Sequence, residues 1–181
     1  MPKTGTVKPF KTASEVDVET LLNAVKRRAV ELGVKTILVA STAGETGVKV
    51  AESFRGYNVV VVTHSTGFVG PDIQELKAEN RERILKAGGK ILTTTHAFGG
   101  LARARSDQIV ANTLRIFGQG VKVAVEIAIM AADSGLVSVN EDVISIGGAG
   151  GGADTALVLR PANVQDFFDV KVHEIICKPG L

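Results

Sequence analysis

The chain contains no tryptophan, one tyrosine and one cysteine, and aromatic residues make up only 4 per cent of its 181 residues. A single thiol excludes an intrachain disulfide and a cysteine-rich zinc site, and it fits a reducing cytoplasm. With so few rings, the core must be built from Val, Ile, Leu and Ala, which suits parallel strands buried on both faces. Charge of one sign is also scarce. Lys and Arg are scattered among acids and the net charge is +2, so no basic stripe for nucleic acid is present. Met1 to Lys11 carries lysines but no apolar core, which excludes a secretory signal there. The most apolar helical stretch, Val121 to Ala132, is too short to span a bilayer and includes Lys122 and Glu126. These absences lead us to expect one cytoplasmic domain over residues 1–181, with neither nucleic acid nor membrane as partner.

Four apolar runs are present, and each breaks into Gly, Ser, Thr and His. Ile37 to Ala40 precedes Ser41-Thr42-Ala43-Gly44, and Val59 to Val62 precedes Thr63-His64-Ser65-Thr66-Gly67. Ile91-Leu92 precedes Thr93-Thr94-Thr95-His96, and Val143 to Ile146 precedes a run from Gly147 to Gly152. As parallel strands, these runs place their carboxyl ends on one rim, where open α/β sheets bind ligands.

Helical patterns fall between the strands. Val18, Leu21, Leu22, Val25, Ala29 and Leu32 share one face of a helix expected over Ala13 to Leu32. Thr12 and Glu15 form a capping-box pattern at its start, and Gly33 stops it. Gly44 to Phe54 allows a helix. Pro71-Asp72 opens another, with Asp72 and Glu75 spaced as a second capping box. Thr94 to Ser106 has no clear period, and loops of that length are commonly functional or disordered. Asp107 to Phe117 and Val121 to Ala132 read as further helices. Thr155 to Leu159 is a fifth strand, antiparallel because its loop is hairpin-short, and Val172 to Cys177 is a candidate sixth. The expected architecture is an α/β sandwich.

The candidate chemistry lies on the rim. Ser41, Thr42, Ala43, Gly44, Glu45 and Thr46 join a strand to a helix, where hydroxyls and helix-start N–H groups suit an anion; the alternative is an ordinary capped turn. Glu45 counts against a phosphate unless it points away. The segment lacks both the Walker ending and the GxGxxG pattern. Gly147, Gly148, Ala149, Gly150, Gly151 and Gly152 form either a backbone wall for a ligand or a flexible hairpin tip, with Asp154 and Thr155 directly after. His64 and His96, each just past a strand end, are candidates for phosphate donors, for acid–base groups, or for plain surface caps. Thr63, Gly67, Phe68 and Thr95 flank them. Arg103 and Arg105 either close over an anion or are solvated. Glu126 is either a core carboxylate paired with a base or, the reading preferred, the exposed edge of its helix; His173 is expected to be structural. No metal-ligand spacing appears. Gly-x-Ser-x-Gly, a Cys–His pair and facing carboxylates are all missing, so the signature of a nucleophilic hydrolase is lacking.

Two segments carry a family resemblance. Thr36 to Phe54, with the following Tyr57 to Thr63 strand, resembles the opening of the pyruvate kinase C-terminal domain, where a strand runs into Thr-Lys-Ser-Gly-Arg-Ser and then a helix. Leu136 to Arg160 resembles that domain's ending, with Asn140 to Gly147 and Asp154 to Leu159 as its last two strands. The order of elements agrees over about residues 35–161, and the chain looks like the stand-alone, archaeal-type proteins of this kind. The resemblance implies a three-layer α/β/α sandwich with a five-stranded, mostly parallel sheet whose last strand is antiparallel. It also implies a phosphate site at Ser41, Thr42, Gly44 and Thr46, and no pyruvate kinase activity, since the catalytic barrel is absent. Ala43 and Glu45 replace the family's Ser and Arg. One hydroxyl and one positive charge are thereby lost, which suits a single phosphate better than a sugar bisphosphate. Resemblance to the stand-alone proteins implies flavin mononucleotide (FMN) as the cofactor, with Phe68 and Phe98 flanking its ring and flavin redox chemistry as the class if the protein is an enzyme. The alternative is a regulatory or scaffolding module sensing a phosphometabolite, with a phosphatase or other hydrolase using His64 or His96 as a lesser rival. Homo-oligomers are common for such domains.

Overall fold

A computed structural model describes residues 8–10, 17–99 and 105–180. One sheet holds seven strands in the order β1-β7-β6-β5-β2-β3-β4. They are β1 (Lys8–Phe10), β2 (Thr36–Ala40), β3 (Asn58–Thr63), β4 (Lys90–Thr93), β5 (Val143–Gly148), β6 (Ala153–Arg160) and β7 (Lys171–Pro179). Strand β2 pairs parallel with β3 and β5, and β3 pairs parallel with β4. Strand β6 runs antiparallel to β5 and to β7, while β1 lies parallel to β7. The mostly parallel sheet with an antiparallel turn-back is as the resemblance implied, but the described residues form seven strands rather than five. The candidate sixth strand forms β7. β1, a three-residue edge strand, is too short to leave a period in the sequence.

Among the described residues, five α-helices cover the sheet: α1 (Val18–Leu32), α2 (Glu45–Ser53), α3 (Ala78–Lys86), α4 (Arg105–Arg115) and α5 (Gln119–Asp133). Alternation along the strands decides which helix meets which face. Ile37, Val39, Val59, Val61, Ile144 and Ile146 pack with α1, α2 and α3. Leu38, Val60, Val62 and Leu157 pack on the other face with α5, giving the three layers. Burial there is nearly complete, about 1.5–3 kcal/mol for each large aliphatic side chain. Cys177 is buried in β7, and burial pushes its thiol up to about 11. It is therefore an inert packing group.

Two helix starts differ from expectation. Helix α1 begins at Val18, capped by Asp17, which accepts from the Glu19 N–H at 3.1 Å; Thr12 and Glu15 lie outside the described residues. Helix α3 begins at Ala78, not at Pro71. Asp72 adopts the left-handed φ +59 and the chain from Asp72 to Lys77 is not helical, so the capping-box spacing of Asp72 and Glu75 does not open a helix. Glu75 is thereby released for another role. Among the described residues, no helix is long and apolar enough to cross a membrane.

Candidate functional site

At the carboxyl ends of β2 and β3, the Ser41 N–H donates to the Val62 carbonyl at 2.9 Å, tying the first loop to its neighbour. Ser41 Oγ, itself buried, accepts from the Gly47 N–H at 3.0 Å. One of the first-turn donors that every helix leaves open is thus satisfied from outside. Gly44 sits at φ +102 with its α-carbon against α3. A Cβ there would lie 2.6 Å from Asn80 Cβ and 2.7 Å from Leu76 Cδ1. Gly44 therefore serves the packing of α2 on α3, not the crevice. Asn80 Nδ2 donates to the Ala43 carbonyl at 2.9 Å and steadies the loop. Glu45 is paired with Lys77 at 2.6 Å. That ammonium bond holds its carboxyl below the usual range, so the charge that counted against a phosphate is compensated.

Facing this loop is the β5–β6 turn. A cavity of about 680 Å³ lies between them, lined by Ser41 to Ala43, Glu45, Thr46, His64 and Gly148 to Gly152. The two predicted loops are thus brought together. Within the glycine run the roles divide. A Cβ on Gly147 would overlap the Gly120 carbonyl, and one on Gly148 would overlap the Gly152 carbonyl, whereas Gly150, Gly151 and Gly152 have open space around them. Gly147 is required by the close approach of α5 to the sheet, and the last three form the wall.

A second cavity, of about 490 Å³, continues from the first and shares Ser41, Thr42, His64 and Gln119 with it. Its apolar side is built by Val62, Phe68, Phe98, Val123, Ile127 and Met130; Thr63, His96, Lys122 and Glu126 also reach it. The two imidazoles are 5.4 Å apart, ring to ring. Phe68 lies 4.1 Å from the His64 ring and stacks on His96 at 5.0 Å, 14° from parallel. His64 Nδ1 meets Glu75 Oε2 at 2.7 Å, and its Nε2 meets Thr42 Oγ1 at 3.4 Å. His96 is more enclosed: its Nδ1 is 3.9 Å from Glu126 Oε2, and its Nε2 is buried with no partner among the described atoms. Burial lowers the His96 pKa, against the pull of Glu126.

Glu126 is not at an exposed helix edge. It is 3 % exposed, bonded to the Lys122 ammonium, and it accepts the Phe98 N–H at 3.1 Å. A helix apolar on every side has no exposed edge, and Val121 to Ala132 has that pattern. Asp154 and Thr155 do not reach the main crevice. They line a separate cavity of about 200 Å³ with Gly118, Gly120 and Ala149. There the Thr155 hydroxyl donates to Asp154 at 2.6 Å, and burial raises the Asp154 carboxyl. Gly67 shapes a turn at φ +88, its N–H on the Ile73 carbonyl. Thr95 is exposed, and neither it nor Gly67 lines a cavity described above. Arg103 lies outside the described residues, while Arg105 begins α4. His173 is 3.3 Å from Asp142 at the opposite end of the sheet.

Sequence reasoning missed Glu75, Gln119, Asn112 and Lys122. Asn112 is on α4, and Gln119, Lys122 and Glu126 stand at helical spacing along α5, a polar file on an otherwise apolar helix. That file was the available signal.

Three layers around a mostly parallel sheet, with a crevice at its strand ends, define an open-sheet α/β sandwich domain. More narrowly, the chain belongs to the pyruvate kinase α/β domain family, whose model matches residues 19–159. Pyruvate kinase from Cryptosporidium parvum in complex with ADP is similar at 14% identity over 90% of this chain and 25% of that one, with a TM-score of 0.44. Another structure of the enzyme from that organism gives 15% identity over 81% and 23%, with a TM-score of 0.42. An O-ureido-L-serine synthase gives 24% identity over 55% and 29%, with a TM-score of 0.32. The chain spans about a quarter of the length of these proteins.

Proposed function

We propose that the crevice binds a phosphorylated small molecule, with FMN the ligand that best matches its two halves, in a cytoplasmic protein. The observation that carries this reading is the continuity of the two cavities through Ser41, Thr42, His64 and Gln119. One half is hydroxyls and bare backbone at a helix start, suited to a phosphate. The other is apolar and aromatic, suited to a flat ring.

The residues present fit such a molecule. Thr42 and Thr46 offer hydroxyls, Gly150 to Gly152 let the ligand lie against backbone, and Lys77 compensates the charge of Glu45 in the lining. The Phe68–His96 stack at 5.0 Å leaves no slot for a third ring, so the ring of the ligand lies along that stack, with Phe98 and Val123 as further walls. Bound flavin would supply two-electron redox chemistry, and the residues described here orient it and exclude water. Binding without redox turnover would make the domain a sensor of a phosphometabolite instead.

Thermal unfolding with FMN tests the reading. At a hundredfold excess over Kd, native-state binding adds about 2.7 kcal/mol of stability, and the visible flavin bands should shift. Riboflavin should bind more weakly, since it lacks the phosphate. Thr46→Glu, which adds a negative charge at the helix start, should abolish the FMN effect. No gain in melting temperature and no spectral change with FMN would overturn the flavin assignment. An unchanged affinity in Thr46→Glu would overturn the phosphate cradle.

A further inference from the structure

We propose that Thr42 is a nucleophile, activated by His64 and Glu75, for cleavage of a carboxylic ester whose acyl group enters the apolar cavity. This inference rests on the crevice being a ligand site, not on that ligand being a flavin.

Three side chains from three separate segments form one chain of contacts. Glu75 Oε2 lies 2.7 Å from His64 Nδ1, and His64 Nε2 lies 3.4 Å from Thr42 Oγ1. A carboxylate only accepts, so Nδ1 carries the proton and Nε2 is left as the acceptor facing the hydroxyl. A hydroxyl within reach of a base that a third group orients is the arrangement that activates a nucleophile, and that contact is often loose before substrate binds. Gln74 Nε2 donates to the His64 carbonyl at 3.2 Å and fixes the backbone beneath the ring. Location supports the same role. Thr42 lines both cavities, so a molecule lying across them presents its middle to Oγ1. Phe68, Phe98, Val123, Ile127 and Met130 receive an apolar acyl group on one side. Helix α2 starts at Glu45, and the positive end of its dipole favours negative charge developing on the carbonyl oxygen near this loop.

The steps balance with water as co-reactant. Thr42 Oγ1 bonds to the carbonyl carbon as its proton passes to His64 Nε2. The bond from that carbon to the leaving oxygen breaks, and the leaving oxygen takes the proton. Water then gives a proton to Nε2 and attacks the acyl-Thr42 ester, and the acid departs as Thr42 recovers its proton. Glu75 touches none of the reacting atoms; it is a positioning residue.

The test uses p-nitrophenyl acetate as probe. Wild-type protein should release nitrophenol in a burst and carry acetyl on the peptide containing Thr42, a result that needs no variant to fold. Thr42→Val should lose both signals, and Thr42→Ser should restore them. His64→Gln should slow acetylation about 100-fold or more. Glu75→Gln should slow it too and shift the nitrogen NMR signature of His64 away from the Nδ1–H tautomer, which a merely structural role would not do. Acetyl found only on lysines, or equal rates for wild type and Thr42→Val, would overturn the proposal. A protein that binds FMN but leaves Thr42 unlabelled overturns this inference alone. One labelled at Thr42 that ignores FMN overturns the flavin assignment alone.

Discussion

His64 and His96 end neighbouring strands, share the ring of Phe68 and each face a glutamate, yet their surroundings make them different groups. The His64–Glu75 pair sits at the mouth of the crevice, with side chains 31 % and 24 % exposed and a direct 2.7 Å contact. His96 is 18 % exposed, and its glutamate is 3.9 Å away and already committed to Lys122 and the Phe98 N–H. A carboxylate neutralising a buried ammonium has little attraction left for a second cation. Desolvation therefore wins at His96 and lowers its pKa. Two histidines equivalent in the sequence thus become an oriented ring at the surface and a ring kept neutral in the interior.

The comparison breaks most visibly at the glutamates. Glu126→Gln should leave Lys122 buried without its counter-charge, a loss of about 3–5 kcal/mol. Glu75→Gln, at a partly exposed pair, should cost about 1 kcal/mol or less. Urea unfolding measures both, and equal losses would erase the distinction. Acid should expose the next largest difference. The folded pKa of His96 lies below its ordinary 6.5, so the unfolded chain takes up the proton first as pH falls. The His96 contribution is therefore flat above about pH 6.5 and is lost below it, with a slope of at most about 1.4 kcal/mol per pH unit. His96→Asn should flatten that part of the curve of stability against pH. An unchanged acid slope in the variant would mean that His96 is not held neutral. The smallest effect belongs to the shared ring. Phe68 is 52 % exposed, so Phe68→Ala should cost about 1 kcal/mol or less. It should nevertheless move the His96 titration, followed by NMR, up toward 6.5 by admitting water, making the two histidines more alike.

Much of this architecture was legible because the strands announce themselves as apolar runs ended by small polar residues. The crevice between the Ser41 loop and the glycine turn followed from parallel topology alone. The partners of the histidines were not legible in that way. Glu75 looked like part of a helix start, since Asp72 and Glu75 have capping-box spacing, but the backbone turns left-handed at Asp72 and α3 does not begin until Ala78. Glu126 was misplaced because one charge in an apolar helix resembles an edge. Its neighbour Lys122, one turn away, makes burial tolerable. Gly44 and Gly147 carried no label telling a ligand-facing glycine from one pressed against a helix, because that depends on what packs opposite.

The turn between β5 and β6 presents Gly150 to Gly152 to the crevice with no side chain but hydrogen. Surfaces of that kind escape the usual genetics of binding sites. Truncating side chains one at a time removes nothing there, and any change adds bulk. A mutational survey would therefore read Gly150 and Gly152, at φ +91 and +121, as backbone turns and Gly151 as a neutral spacer, even where all three form half of a recognition surface. Changing the number of residues in the turn, rather than their identity, is what would reveal them.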